Sequence, residues 1–437
     1  MKIQLSDGVK VIISKLNNYG FEAFAVGGCV RDCVIGLVPH DWDVCTNAQP
    51  EQIKHCFKDF ETFDSGIKHG TISVIYKRAI YEITTYRIDG EYLDSRHPES
   101  VEFTNDITKD LARRDFTVNA MAYNEEKGLV DPFGGIHDVS RKIIKCVGDS
   151  DKRFDEDALR ILRALRFASV YGFSIDNKTS DSVKNKSYLL GNIAYERIAA
   201  EFNRLLCGKN VEKILNGYKE VFSVFIPEFK PMFNFKQLNV HSNEDLWHQT
   251  TALVKLVEKD PLLRVAMLLH DIGKPESCPD GYCKYYNYTK LSAEIAERIL
   301  LRLRYSKNFV DDCLKLIEYQ DVRLYDSKKN LKRVMNIVGV DNTRRLIKIQ
   351  QAINSLLYFK QDEKFMTAQR QLEEIINGDE CFKLSHLAVN GKDIINLGIK
   401  EGKAVGEILN VLINKVIDEE LPNTKNILLE AAKKLIF

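Results

Sequence analysis

Apolar residues along this 437-residue chain change their spacing near Asp155. Before it, short β-rich runs such as residues 71–75 and 79–86 are separated by turns. After it, helical spacing persists almost to the C terminus. A β-containing head of about 150 residues followed by a long helical tail is the order expected of an α+β protein or of separate domains. The length exceeds what one core can organise and predicts two to four domains. Near the start, Val9, Ile12, Ile13 and Leu16 predict an amphipathic helix over residues 8–20, stopped by Gly20. Residues 87–101, RIDGEYLDSRHPESV, predict a polar loop too charged for a core. The sequence contains no internal repeat or low-complexity segment.

The 63 basic and 62 acidic residues nearly cancel. Net charge therefore argues neither for nor against a nucleic-acid partner, and local clusters must decide. The N-terminal stretch lacks a signal-peptide apolar region and no run is long enough to cross a bilayer, so a cytoplasmic protein without a membrane partner is expected. The ten cysteines form no CxxC and are expected to be reduced and mostly buried, without structural zinc.

Residues 27–43, GGCVRDCVIGLVPHDWD, carry the first chemistry. The apolar FEAFAV run predicts a strand closing at Gly27 and Gly28, where bare backbone N–H groups can approach phosphate, with the Arg31 guanidinium beside the turn. Strand alternation would put Asp41 and Asp43 on one face, as two hard oxygen ligands for Mg²⁺. Glu82 in the next β run is a candidate either to position that metal or to form a salt bridge. Neither GxxxxGK[ST] nor GxGxxG occurs, so no P-loop or Rossmann turn accounts for the glycines. A glycine pair, a DxD and several arginines suit nucleotidyl transfer. Residues 153–169, RFDEDALRILRALRFAS, predict one helix bearing Arg160, Arg163 and Arg166. On it Asp157 and Arg160, one turn apart, can present an acceptor and a donor to a base edge, while Glu156–Arg160 pairing is the plainer alternative.

The ordered set GGCVRD, DWDVCT, the 87–101 loop, RRDFTVNAMAY, DPFGG and RFDEDALRILRALRFAS resembles the class II tRNA nucleotidyltransferases, the CCA-adding enzymes of the polymerase β nucleotidyltransferase superfamily. The resemblance implies a polymerase β-like head with a mixed sheet, then an all-α neck, body and tail. It implies that Gly28 and Arg31 contact the triphosphate, that Asp41 and Asp43 are catalytic and hold Mg²⁺, and that Arg114 contacts the nucleotide. Asp157 and Arg160 would choose CTP or ATP without a template, and Arg163 and Arg166 would complete the site. The implied activity is addition of C, C and A to the tRNA 3′ end. The 87–101 loop disfavours a CC-only member and leaves an A-adding enzyme or a poly(A) polymerase as alternatives.

HQTTALV at 248–254 and LLHDIGKP at 268–275 resemble an HD phosphohydrolase domain, which makes such a hydrolase the alternative from another class. Tyr288 and Tyr319 stand where further histidines would be needed. At most His248, His270, Asp271 and Asp321 remain for a single metal, so a retained fold with lost hydrolysis is expected. Residues 327–350 hold seven Lys/Arg against one Asp, suiting RNA backbone contacts or a solvated face. Residues 387–409 resemble the family's tRNA-gripping segment, with Gly391, Gly398, Gly402 and Gly406 expected to permit sharp turns. The expected division is 1–150 catalytic head, 151–225 neck, 226–345 HD-like domain and 346–437 tRNA-binding tail, as a monomer or homodimer.

Overall fold

The computed structural model describes residues 3–90, 100–237, 244–278, 285–358 and 363–436. The chain divides into two compact units, Met1–Pro227 and Glu228–Phe437.

The first unit begins with α1 (Asp7–Asn18), N-capped by Ser6, whose hydroxyl accepts the Val9 N–H. It buries Val9, Ile12, Ile13 and Leu16, and Gly20 follows at φ +83°. Then come β1 (Ala23–Val26), α2 (Gly28–Ile35), β2 (Asp43–Thr46), α3 (Pro50–Cys56), β3 (Glu61–Gly66), β4 (Thr71–Tyr76) and β5 (Ala79–Thr85). The head continues through β6 (Arg87–Asp89), β7 (Val101–Phe103), α4 (Ile107–Ala112), β8 (Ala122–Asn124), β9 (Gly128–Val130) and α5 (Gly135–Ser140).

Seven strands form one mixed sheet in the order β3-β4-β5-β2-β1-β8-β9. Only β2 and β5 run parallel. Alternation sorts the side chains into two layers. Ala23, Ala25, Val44, Ile72 and Ile83 pack with Ile12, Leu16 and Ile53 of the helices. Phe24, Val26, Cys45 and Tyr86 pack on the other side with Leu111, Ala120 and Ala122. Each fully buried aliphatic or aromatic side chain contributes about 1.5–3 kcal/mol.

The predicted polar loop departs from expectation at its ends. Residues Arg87–Asp89 pair antiparallel with Val101–Phe103, and the intervening 91–99 lie outside the described residues. A charged composition does not preclude a ribbon when the charges meet one another: Arg87 Nε donates to Asp89 Oδ1 at 3.0 Å, and Arg113 lies 3.6 Å from Asp89 Oδ2.

The predicted single helix over 153–169 is two helices, α6 (Ser150–Glu156) and α7 (Leu159–Tyr171). Asp157 interrupts them at φ −143°, ψ 101°, and its side chain accepts the Leu159 N–H at 3.1 Å. Aspartate competes for backbone donors in this way, which favours caps over helix interiors. After α7, β11 (Ser174–Ile175) returns to pair in parallel with β10 (Ile143–Ile144), so strand pairing extends beyond Asp155. Further on, α8 (Asn177–Asn185) leads to α9 (Tyr195–Leu206), whose Ile198, Phe202 and Leu205 are buried, as are Leu162, Leu165 and Ala168 on α7.

The regular elements among the described residues of the second unit are all helices. Near its C terminus, Leu412, Ile413 and Ile417 pack with Leu428 and Ala432. Of the four glycines expected to permit sharp turns, Gly398 and Gly402 take φ +99° and +140°, whereas Gly391 opens a helix and Gly406 lies inside Lys403–Ile417. Cys278 is disulfide-bonded, against the expectation of reduced thiols throughout, while eight other cysteines are free. Among the described residues no helix is long and apolar enough to cross a membrane.

The basic run at 327–350 also reads differently in three dimensions. Lys328 pairs with Glu374, Lys329 with Glu419, Lys332 with Glu380, Arg333 with Asp418, Arg344 with Glu373, Arg345 with Asp260 and Lys348 with Glu258. Each such surface pair is worth at most about 1 kcal/mol. Together they bring the local charge close to neutral, and pairs this weak can exchange for phosphate.

Candidate active site

Asp43 is the first residue of β2, and the parallel register sets it opposite Glu82 on β5. Asp41 lies in a bend before the strand, so strand alternation does not govern it. Both aspartates and Glu82 are nonetheless exposed at one end of the sheet. Although Asp43 reaches solvent, the protein packed around its carboxyl raises the pKa by desolvation, Arg114 opposes this, and Glu82 and Asp41 raise it further, so the three carboxylates share one electrostatic neighbourhood. Such mutual repulsion is what a divalent cation relieves. No three His, Cys, Asp or Glu side chains among the described residues converge as a metal-holding group. Two hard carboxylates fit Mg²⁺, which recruits the rest of its shell from water and phosphate.

Beside them, Gly27 ends the β1 run at φ +80°, ψ −128° and donates its N–H to Met121 O at 3.0 Å. A Cβ there would stand 2.7 Å from Arg114 Nη1. The missing side chain thus lets Arg114 lie over the turn, held from behind by the buried Asp110 at 3.5 Å. Gly28 starts α2, whose first-turn N–H groups suit an anion. Arg31 is only 6% exposed, donates to Asp32 Oδ1 through Nε and Nη2 at 2.9 and 2.8 Å, and reaches Asn119 through Nη1. Its guanidinium lies over the Phe167 and Tyr171 rings at 5.0 and 4.7 Å. Tyr171 completes the cluster by donating its hydroxyl to Asp32 Oδ1 at 3.0 Å, and burial pushes its pKa up to about 12. Arg31 therefore stands beside the turn as predicted, with much of its donor capacity already used.

Asp115 is the next node. Its Oδ2 accepts from Arg163 Nε and Nη2 at 2.8 and 2.6 Å, and its Oδ1 accepts from Asn119. Burial alone would raise this carboxyl, but Arg163 and the Asn119 amide hold it down at about 2. Arg160 donates to Glu156 at 2.6 Å and to the Arg153 and Arg113 carbonyls, so the plainer pairing read from the sequence is the one made. Asp157 faces Arg197 of α9 at 3.3 Å, not Arg160. Arg166 pairs with Glu201 and lies 4.0 Å from the Phe167 ring centroid. Burial lowers the Arg166 pKa to about 10; Glu201 opposes this, while Arg163 and Arg204 add to it. All nine predicted residues thus lie in the first unit, and Arg31, Arg114, Asp157, Arg163 and Arg166 are held by partners that local pattern did not single out: Asp32, Asp110, Asp115, Asn119, Arg197 and Glu201. Asp32, Asp115 and Asn119 sit inside motifs already quoted. Arg197 and Glu201 are more than thirty residues from their partners, where no periodicity connects them.

Three family models match the chain: the Poly A polymerase head domain over residues 23–145, the Probable RNA and SrmB-binding site of polymerase A over 172–232, and tRNA nucleotidyltransferase domain 2 over 282–432. The chain is 32% identical to the CCA-adding enzyme of Ligilactobacillus salivarius, over 97% of its length and 95% of that protein. The chain belongs to the CCA-adding enzyme family. A second relative, the CCA-adding enzyme of Staphylococcus haemolyticus, is 32% identical over 99% of both chains. The crystal structure of the Bacillus stearothermophilus CCA-adding enzyme in complex with CTP matches with a TM-score of 0.73 at 28% identity, covering 98% and 96% of the two chains. The chain is thus an enzyme of the tRNA nucleotidyltransferase class, α+β with a mixed-sheet head.

Within this family framework the HD-like residues are dispersed. His248 Nδ1 meets Asp245 at 2.6 Å, Tyr288 donates its hydroxyl to Asp321 at 2.6 Å, and His270 and Asp271 are buried together. The single-metal arrangement of His248, His270, Asp271 and Asp321 left open by the sequence is not assembled. Short side chains already paired to near neighbours are not free to converge.

Proposed function

We propose that this protein adds C, C and A to the 3′ end of tRNA from CTP and ATP, without a nucleic-acid template, releasing pyrophosphate. The observation that carries the reading is the pair Asp41 and Asp43 at the sheet end, facing Glu82 and Arg114 beside the Gly27–Gly28 turn. In this reading the first-turn N–H groups of α2 and Arg114 bind the triphosphate. Arg31, fixed by Asp32 and Asn119, holds the positive edge of that site. Asp157 and Arg160 exchange Arg197 and Glu156 for the edge of the incoming base, while Arg163 and Arg166, fixed by Asp115 and Glu201, complete the nucleotide site. The tRNA 3′ hydroxyl attacks the α-phosphate in line, its proton leaves, and the bond to pyrophosphate breaks. Asp41 and Asp43 would hold Mg²⁺, which when bound supplies activation of the hydroxyl and charge neutralisation on the leaving group. The working division is a catalytic head over 1–150, a base-selecting neck over 151–225 and tRNA-binding helices beyond, with the helical region at 226–345 not hydrolytic. The protein is proposed to act in the cytoplasm.

The test offers three tRNAs, ending before the CCA, after C and after CC, each with labelled CTP and ATP. Extension of all three to the full CCA is expected. Extension of the last alone would make this an A-adding enzyme. Asp41→Ala should abolish incorporation while tRNA binding persists, and full activity in that variant would refute the metal assignment.

A further inference from the structure

Three arginines of the nucleotide site, two on α7 and one on α2, converge on a single neutral group. Along α7, Arg163, Phe167 and Tyr171 recur every four residues and so share one face, with Arg166 immediately before the ring. Phe167 is 4% exposed. The guanidinium carbons of Arg166 and Arg163 lie 4.0 and 5.2 Å from its centroid, and that of Arg31, reaching across from α2, lies 5.0 Å away. All three are inside the distance of about 6 Å over which the face of an aromatic ring attracts a cation. Their closest carboxylate partners differ: Asp32 for Arg31, Asp115 for Arg163 and Glu201 for Arg166. The Phe167 ring is shared by all three.

That ring is itself fixed on two sides. Phe116, fully buried, meets it in a T-shaped contact at 5.8 Å and 83°, and Tyr171 stacks on it at 6.0 Å and 19°. The Tyr171 ring also lies 4.7 Å from the Arg31 guanidinium, and its hydroxyl donates to Asp32 Oδ1, the atom that accepts from Arg31 Nε and Nη2. Three like charges this close repel one another. A carboxylate offsets the repulsion by cancelling positive charge that a triphosphate needs. The negative face of a ring offsets it and leaves the formal charge in place.

We propose that Phe167 is a positioning residue for the nucleotide site, whose ring holds Arg31, Arg163 and Arg166 together and so fixes the arginine beside the glycine turn relative to the base-selecting helix. The inference rests on the reading of these arginines as nucleotide-site residues.

The experiment replaces Phe167 in the full-length chain, by nonsense suppression, with mono-, di- and trifluorinated phenylalanine. Fluorine withdraws electron density from the ring face in steps while nearly preserving its size and apolarity. The KM for CTP and kcat are read on a tRNA ending before the CCA, the CTP Kd by calorimetry, and the tRNA KM as a control. Both the nucleotide KM and the CTP Kd should rise with each fluorine, several-fold by the third, with kcat falling less and the tRNA KM unchanged. Phe167→Leu, which removes the face altogether, should raise the nucleotide KM at least as far as the trifluorinated ring. A ring that merely fills space would leave the nucleotide KM and Kd flat across the series, and that result overturns the proposal. A CTP Kd that rises along the series in a protein unable to extend tRNA supports the proposal and overturns the transfer reading alone.

Discussion

Asp115→Asn tests whether the buried carboxylate that joins the head to α7 acts through its charge. The amide keeps an oxygen for the Phe116 N–H and the Asn119 side chain but offers Arg163 no anion. The native carboxyl sits at about 2, against 3.8 for a free aspartate. A difference of nearly two units corresponds to roughly 2 kcal/mol. Because the folded pKa lies below the unfolded one, this stability is fully present above about pH 5 and is lost as pH falls through 3.8 toward 2. At pH 3 about half of it should remain, by the same linkage. The readout is urea unfolding of the first unit, whose only tryptophan is Trp42, in a Trp247→Phe background that silences the other one. Wild type should exceed Asp115→Asn by roughly 2 kcal/mol at pH 7 and by about half that at pH 3. Equal stability at pH 7, or a gap that does not narrow on acidification, would show that the Arg163 pairing does not work by charge.

Gly27→Ala and Gly36→Ala both place an alanine at positive φ, +80° and +84°, and each should cost about 1–2 kcal/mol of stability. Only Gly27→Ala puts a methyl against Arg114, since nothing lies within 4 Å of a Cβ on Gly36. The nucleotide KM should therefore rise several-fold in the first alone, and a matching rise in both would remove Arg114 from the site. Burial pushes the Cys29 and Cys146 thiols up to about 12 and raises Cys45 and Cys313 as well. In native protein at pH 8 these four should resist a thiol-alkylating reagent that labels the partly exposed Cys33 and Cys381, as read by peptide mass spectrometry. Labelling of Cys29 as fast as in urea would contradict the burial of α2 against the sheet.

Local pattern was enough for α1, β4, β5 and the glycine turn, because each depends on which face of a short segment is apolar or on a backbone angle that one residue type tolerates. It also drew attention to Asp41, Asp43, Arg114 and Arg163, which lie in compact motifs of charged side chains, but not to the partners that hold them. What the tertiary structure decided is who meets whom. Asp157 breaks a helix that periodicity ran straight through, because its side chain found a backbone donor closer than any core. The seven basic residues at 327–350 read as an unopposed basic run until acids as distant in sequence as Glu258 and Glu419 pair with them. Charge pairing acts through space at a few ångströms and leaves no period in the chain. Sequence therefore determined the elements and the chemistry available, and only the fold decided that Arg163 belongs to Asp115 and Asp157 to Arg197.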